Sequence, residues 1–100
     1  MVSRPASRAV IDAQTAIGNN LTTWRKLLGL TAAQVADRAG IARGTLSHVE
    51  RGDGRVGFTA FLAVAHALGQ LDRLAEATDP YETDLGRARA DHVLPRRVRP

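Results

Sequence analysis

Residues 31–52, "TAAQVADRAGIARGTLSHVERG", hold the pattern on which the fold turns. Thr31 and Gln34 have the spacing of a capping box: the Thr31 hydroxyl accepts from the Gln34 amide, and the Gln34 side chain reaches back to the Thr31 amide. A helix follows with Val35, Ala36 and Ala39 facing inward. Gly40 ends it at a turn expected to need positive φ. Ile41 plugs the corner, and a further helix is expected from about Ala42 to Arg51, closed by Gly52. Two helices of about eight residues joined by a Gly-containing three-residue turn make a helix-turn-helix.

The second of these helices carries little apolar surface and many hydrogen-bonding groups. An α-helix advances about 100° per residue, so with Leu46 at zero, Val49 lies near ~300°. The opposite face holds Gly44, Ser47, His48 and Arg51, with Arg43 at the N-terminal end. Glu50 falls near ~40°, toward the packed side. A rod anchored by Leu46 and Val49 with a polar outer edge fits the major groove of B-DNA, where base edges present donors and acceptors.

Upstream, Val10, Ala13, Ile17, Leu21, Trp24 and Leu28 recur at steps of three and four, one face of a helix. Gly18-Asn19-Asn20 weakens its middle, which leaves two starts open for the regular helix, Val10 or near Asn19, with Gly29 as its stop. Downstream, residues 58–68, "FTAFLAVAHAL", predict an apolar helix with Phe58, Phe61, Leu62, Ala65 and Leu68 inward and His66 packed or at an interface. "QLDRLAEA", residues 70–77, predicts a short fifth helix, and Asp79-Pro80 breaks the pattern. The expected fold is all-α. Residues 1–14 read as an N-terminal arm or helical extension, 15–78 as a five-helix domain, and 79–100 as a basic tail open to disorder.

Size and composition agree with one small domain. The chain has 100 residues, 44% hydrophobic but only 4% aromatic, which supports a core of Leu, Val, Ile and Ala. There is no cysteine, which excludes disulfides and thiolate metal sites and fits a cytoplasmic location. No stretch approaches the ~20 apolar residues that span a bilayer, and the N-terminus lacks a signal-peptide core. The net charge of +4 is unevenly placed: residues 1–86 are balanced, and the excess sits in "RARADHVLPRRVRP", residues 87–100. A generic electrostatic DNA-coating protein conflicts with that neutral body. No nucleophile–base set, phosphate-binding glycine loop or metal quartet is present, so no catalytic residue, cofactor or metal is expected.

The stretch "LTTWRKLLGLTAAQVADRAGIARGTLSHVERG", residues 21–52, resembles the lambda-repressor and Cro type of helix-turn-helix domain, the XRE family. The resemblance extends to the five-helix order over residues 15–76. It implies a double-stranded DNA operator as partner, with Arg43, Gly44, Ser47 and His48 facing bases. Thr31, Ala32, Thr45, Arg51 and Arg55 would flank phosphates, Ala32 only through its backbone, since Gln often stands at that position in the family. Arg25 and Glu50 match an ion pair that orients the recognition helix. Family members usually bind as homodimers on half-sites about 34–36 Å apart, and Leu68, Leu71, Leu74 and Ala75 would supply that interface. The resemblance implies a sequence-specific transcriptional regulator, most often a repressor. The alternative is an antitoxin that binds a toxin protein through the tail, with its Tyr81, Leu85, Val93 and Leu94, and represses its own operon.

Overall fold

The computed structural model describes residues 4–93. Helix α1 spans Arg8–Leu27, α2 Ala32–Ala39, α3 Arg43–Glu50, α4 Phe58–Ala67 and α5 Leu71–Ala77. A 3-10 turn at Pro80–Glu82, a short helix α6 at Asp84–Ala88 and a second 3-10 turn at Ala90–His92 follow. Among the described residues there is no strand, and no helix is long and apolar enough to cross a membrane.

The polypeptide turns its first four corners with one device. After each of α1 to α4 an amide reaches back five residues: Leu30 N donates to Arg25 O, Ile41 to Ala36, Asp53 to His48 and Gln70 to Ala65. These bonds satisfy carbonyls that a helix end leaves unpaired. The pattern needs a left-handed residue just before the donor, and glycine occupies that place each time.

The core is built where these corners bring α1, α2, α3 and α4 together. Leu21, Val35, Ala36, Leu46, Val49, Val64 and Leu68 form one buried cluster, with Trp24, Leu30, Ile41, Val56 and Phe61 packed around it. Thus Leu21 anchors α1, Leu46 and Val49 anchor α3, and α2 lies against both α3 and α4.

Several sequence expectations are corrected. α1 does not begin near Asn19: it runs unbroken from Arg8, with Ser7 Oγ accepting from the Val10 amide at 3.3 Å. Gly18 does not interrupt it because α1 meets the turn after α3 there. A Cβ on Gly18 would lie 2.7 Å from Glu50 O, 2.7 Å from Gly52 N and 2.8 Å from Val49 O. The close approach uses what glycine lacks, and the contact it permits overrides weak local propensity.

The apolar stripe of α1 is used at two of its six positions. Leu21 is buried and Trp24 half-buried, but Val10, Ala13, Ile17 and Leu28 are exposed. On α4, Phe58 is 74% exposed, and Val64 takes the inward place not assigned to it from the pattern. Phe58 is the first residue of α4 and lines an open depression with Gln14, Ile17 and Val49 instead of entering the core. His66 is exposed rather than packed.

Leu68 is corrected as an interface residue: it is 2% exposed and belongs to the core cluster, so no surface is left for a partner. Residues 80–92 are not plain tail. Asp79 Oδ1 caps the first 3-10 turn by accepting from Tyr81 N at 2.9 Å, and Thr83 Oγ1 caps α6 by accepting from Gly86 N at 3.0 Å. Leu94 and most of the basic run expected in residues 87–100 lie outside the described residues.

Candidate nucleic-acid interface

The site is α2, the Gly40 turn and α3. The Thr31–Gln34 capping box is complete: Gln34 N donates to Thr31 Oγ1 at 3.1 Å, and Thr31 N donates to Gln34 Oε1 at 2.9 Å. Gly40 has φ +69°, a left-handed conformation that strains a residue with a Cβ, and it redirects the chain toward α3. Ala36 is small and buried where the two helices cross.

α3 is held from beneath by two side chains. Leu46 is 1% exposed and Val49 5%. Its outer face presents Arg43, Gly44, Ser47 and Arg51 to solvent, with Thr45 and His48 half-buried at one flank. Arg43, Gly44 and Ser47 share a surface depression with Ala32, the first residue of α2. Thr45, His48 and Arg55 line a second depression with Asp53. The candidates therefore divide between two depressions along α3, while Arg51 and Thr31 stand exposed at the end of α3 and the start of α2.

The far end of α3 is fixed from α1. Arg25 Nε donates to Glu50 Oε2 at 2.7 Å and Nη2 donates to Glu50 Oε1 at 3.2 Å. Arg25 Nη1 also donates to Leu30 O at 3.3 Å. The two side chains are 16% and 15% exposed, so water screens the pair weakly. The hydrogen bond to Glu50 is the main reason the guanidinium is raised above its ordinary value, with burial opposing it. This two-point geometry sets direction as well as distance. It also cancels the charge of a carboxylate that would otherwise sit beside the polar edge of α3.

Asp53 is the residue that sequence reasoning missed. Its Oδ1 accepts from Arg55 N at 2.9 Å and from Arg55 Nε at 3.1 Å. Its Oδ2 accepts from Arg55 Nη2 at 2.9 Å and lies 3.0 Å from His48 Nδ1. An aspartate bonding the amide two residues on is an Asx turn, and Asp-Gly in a loop is the signal that could have shown it. Three donors of Arg55, two of them on its side chain, are thus engaged by Asp53 while that side chain remains largely in solvent.

The side-chain and backbone bonds from Arg55 hold the Asp53 carboxyl well below the usual carboxylate range. A lowered folded value stabilises the fold above the ordinary value of 3.8 and is lost as pH falls below it. Asp53→Asn is expected to be less stable than the parent at neutral pH and to lose less on acidification below that value. Thermal melts across the acid range would check this. Parallel acid limbs for the two proteins would show that Asp53 is not held this way.

A family model described as Helix-turn-helix matches residues 21–78. No curated protein and no solved structure matches the chain.

Proposed function

The chain belongs to the helix-turn-helix family of DNA-binding regulators, and from that premise we propose that it is a sequence-specific repressor that lays α3 in the major groove of a double-stranded operator. The observation that carries the reading is the division of α3. Leu46 and Val49 face the core, while Arg43, Gly44 and Ser47 stand exposed together. Occupying an operator blocks transcription without chemistry at the protein.

The roles divide by chemistry. Arg43 offers a planar fork that matches guanine O6 and N7. Ser47 donates or accepts, so it selects weakly. Gly44 has open space before it and permits close approach of a base pair. His48 joins them as a base-facing residue from the flank. Thr31, Thr45, Arg51 and the backbone at Ala32 address phosphates, with the N-terminus of α2 adding its amides. Arg55 joins them through Nη1, which stays directed to solvent while Nε and Nη2 remain on Asp53.

We assign the assembly to a homodimer on paired half-sites. Half-buried Leu71 and Leu74 and exposed Ala75 supply what remains of the expected interface once Leu68 is assigned to the core.

The test is selection of bound duplexes from a random pool. It is expected to return a twofold site with half-sites one helical turn apart. Arg43→Ala is expected to lose about 1–3 kcal/mol of discrimination at one position in each half-site. Equal weakening on the selected operator and on random DNA would refute base reading by Arg43.

A second reading is an antitoxin that also represses its own operon. It is favoured by Tyr81, Leu85 and Val93, which lie exposed along residues 79–93 after the chain there has folded. These side chains suit a protein partner better than DNA.

A further inference from the structure

His48 meets two neighbours at the same ring nitrogen, and they make opposite demands on it. Asp53 Oδ2 lies 3.0 Å from Nδ1, and Arg51 Nη2 lies 3.2 Å from it. A guanidinium only donates, so Arg51 calls for a bare Nδ1. An ionised carboxylate only accepts, so Asp53 calls for a proton on Nδ1. Resting on the DNA reading above, we infer that Asp53 fixes the His48 ring with its proton on Nδ1, so that Nε2 meets the groove as an acceptor and selects an exocyclic amino group, cytosine N4 or adenine N6.

Asp53 prevails because it is tethered and Arg51 is not. The Asp53 amide donates to His48 O at 2.9 Å, so backbone and side chain join the same two residues. Its carboxylate is 17% exposed and takes three bonds from Arg55, which hold it ionised and fix its direction. Arg51 ends a long exposed side chain with no other bond among the described residues. Two groups that both carry N–H do not bond, so Arg51 is released from the ring and is available to a phosphate.

In the major groove adenine N6 and cytosine N4 are donors, whereas guanine shows only O6 and N7 acceptors. A bare Nε2 therefore repels guanine and accepts from the other two. Asp53 is a positioning residue: it acts on DNA only through His48.

The ring state is measured first, on the unaltered protein without DNA. Long-range proton–nitrogen correlation spectra under mildly alkaline conditions distinguish the two neutral forms. A proton on Nδ1 is expected; a proton on Nε2, or on both nitrogens, would overturn the inference.

Duplex selection then locates the base pair whose preference is lost in His48→Ala. Replacing the amino-bearing base of that pair by its analogue without the exocyclic amino group is expected to weaken binding by the parent and not by His48→Ala. Asp53→Ala is expected to weaken that preference about five- to tenfold while leaving the position lost in Arg43→Ala intact. Undiminished binding by the parent to the duplex that lacks this amino group, or an unchanged preference in Asp53→Ala, would overturn it. A pool enriched nowhere would sink the DNA reading and the base preference together, with the ring spectrum still deciding the tautomer. If Asp53→Ala fails to fold, the parent spectrum and the parent's response to the missing amino group still decide the matter.

Discussion

Leu46→Ala is expected to destabilise the protein by about 2–5 kcal/mol, the range for emptying a fully buried leucine position. Leu46 is 1% exposed and sits in the cluster that joins α1, α2, α3 and α4. Two terms add: the lost transfer of the side chain from water, and the cavity left where helices cannot close inward. The second is large here because α3 is pinned at both ends, by the turn at Gly40 and by the Arg25–Glu50 pair. A protein of this size is stable by roughly 5–15 kcal/mol, so the variant forfeits a large share. Denaturant titration measures the loss, and a thermal midpoint lowered by ~10 °C or more should accompany it. Ser47→Ala, one residue away on the exposed face, is expected to fall within about 0.5 kcal/mol of the parent. A loss below ~1 kcal/mol for Leu46→Ala would mean that α3 is not held by its inner face.

Gly18→Ala is expected to cost up to about 3 kcal/mol, the upper part of the range for overpacking. Two effects oppose each other. Alanine is favoured over glycine inside a helix by about 1 kcal/mol. Against this, the new methyl would meet Glu50 O, Gly52 N and Val49 O at 2.7 to 2.8 Å. All three are backbone atoms, so no side chain can swing aside, and the clash wins. Gly52 lies on the same contact, since a Cβ there would strike the carbonyl of Gln14. The relief available is a shift of α1 away from the end of α3, which pulls on the Arg25–Glu50 pair and retilts the exposed edge of α3. Weaker operator binding by the folded fraction should therefore accompany the loss of stability. Gly44→Ala makes the contrast: with open space around its Cα and an ordinary helical backbone, it should gain about 0.5–1 kcal/mol. Urea titrations of both variants check the pair of signs. A Gly18→Ala protein more stable than its parent would show that α1 does not approach α3 this closely.

The helix-turn-helix was legible because each of its parts is local. The Thr31–Gln34 box, the Gly40 turn and the Leu46–Val49 pair lie within a few residues of their partners, and a helix of fixed pitch converts spacing into direction. α1 was less legible, since Gly18-Asn19-Asn20 is a poor helix former by itself and the reason it is helical lies over thirty residues away. The outward Phe58 and the buried Val64 were misassigned for a related cause. α4 is apolar nearly all round, so its sequence offers no contrast to orient it. Asp53 carried a turn signal, but nothing in a string of letters says that its carboxylate faces His48.

From the amino-acid order come the five helices through Ala77, the corner glycines and the two-sided character of α3, because those depend on backbone torsions and on residues one or two turns apart. Tertiary structure alone decides that α1 continues through Gly18, that Leu68 is core rather than interface, and that Asp53, held by Arg55, meets His48. Such facts depend on which surfaces meet when helices are packed at core density. There the absence of one methyl group outweighs the intrinsic preference of the residue that lacks it.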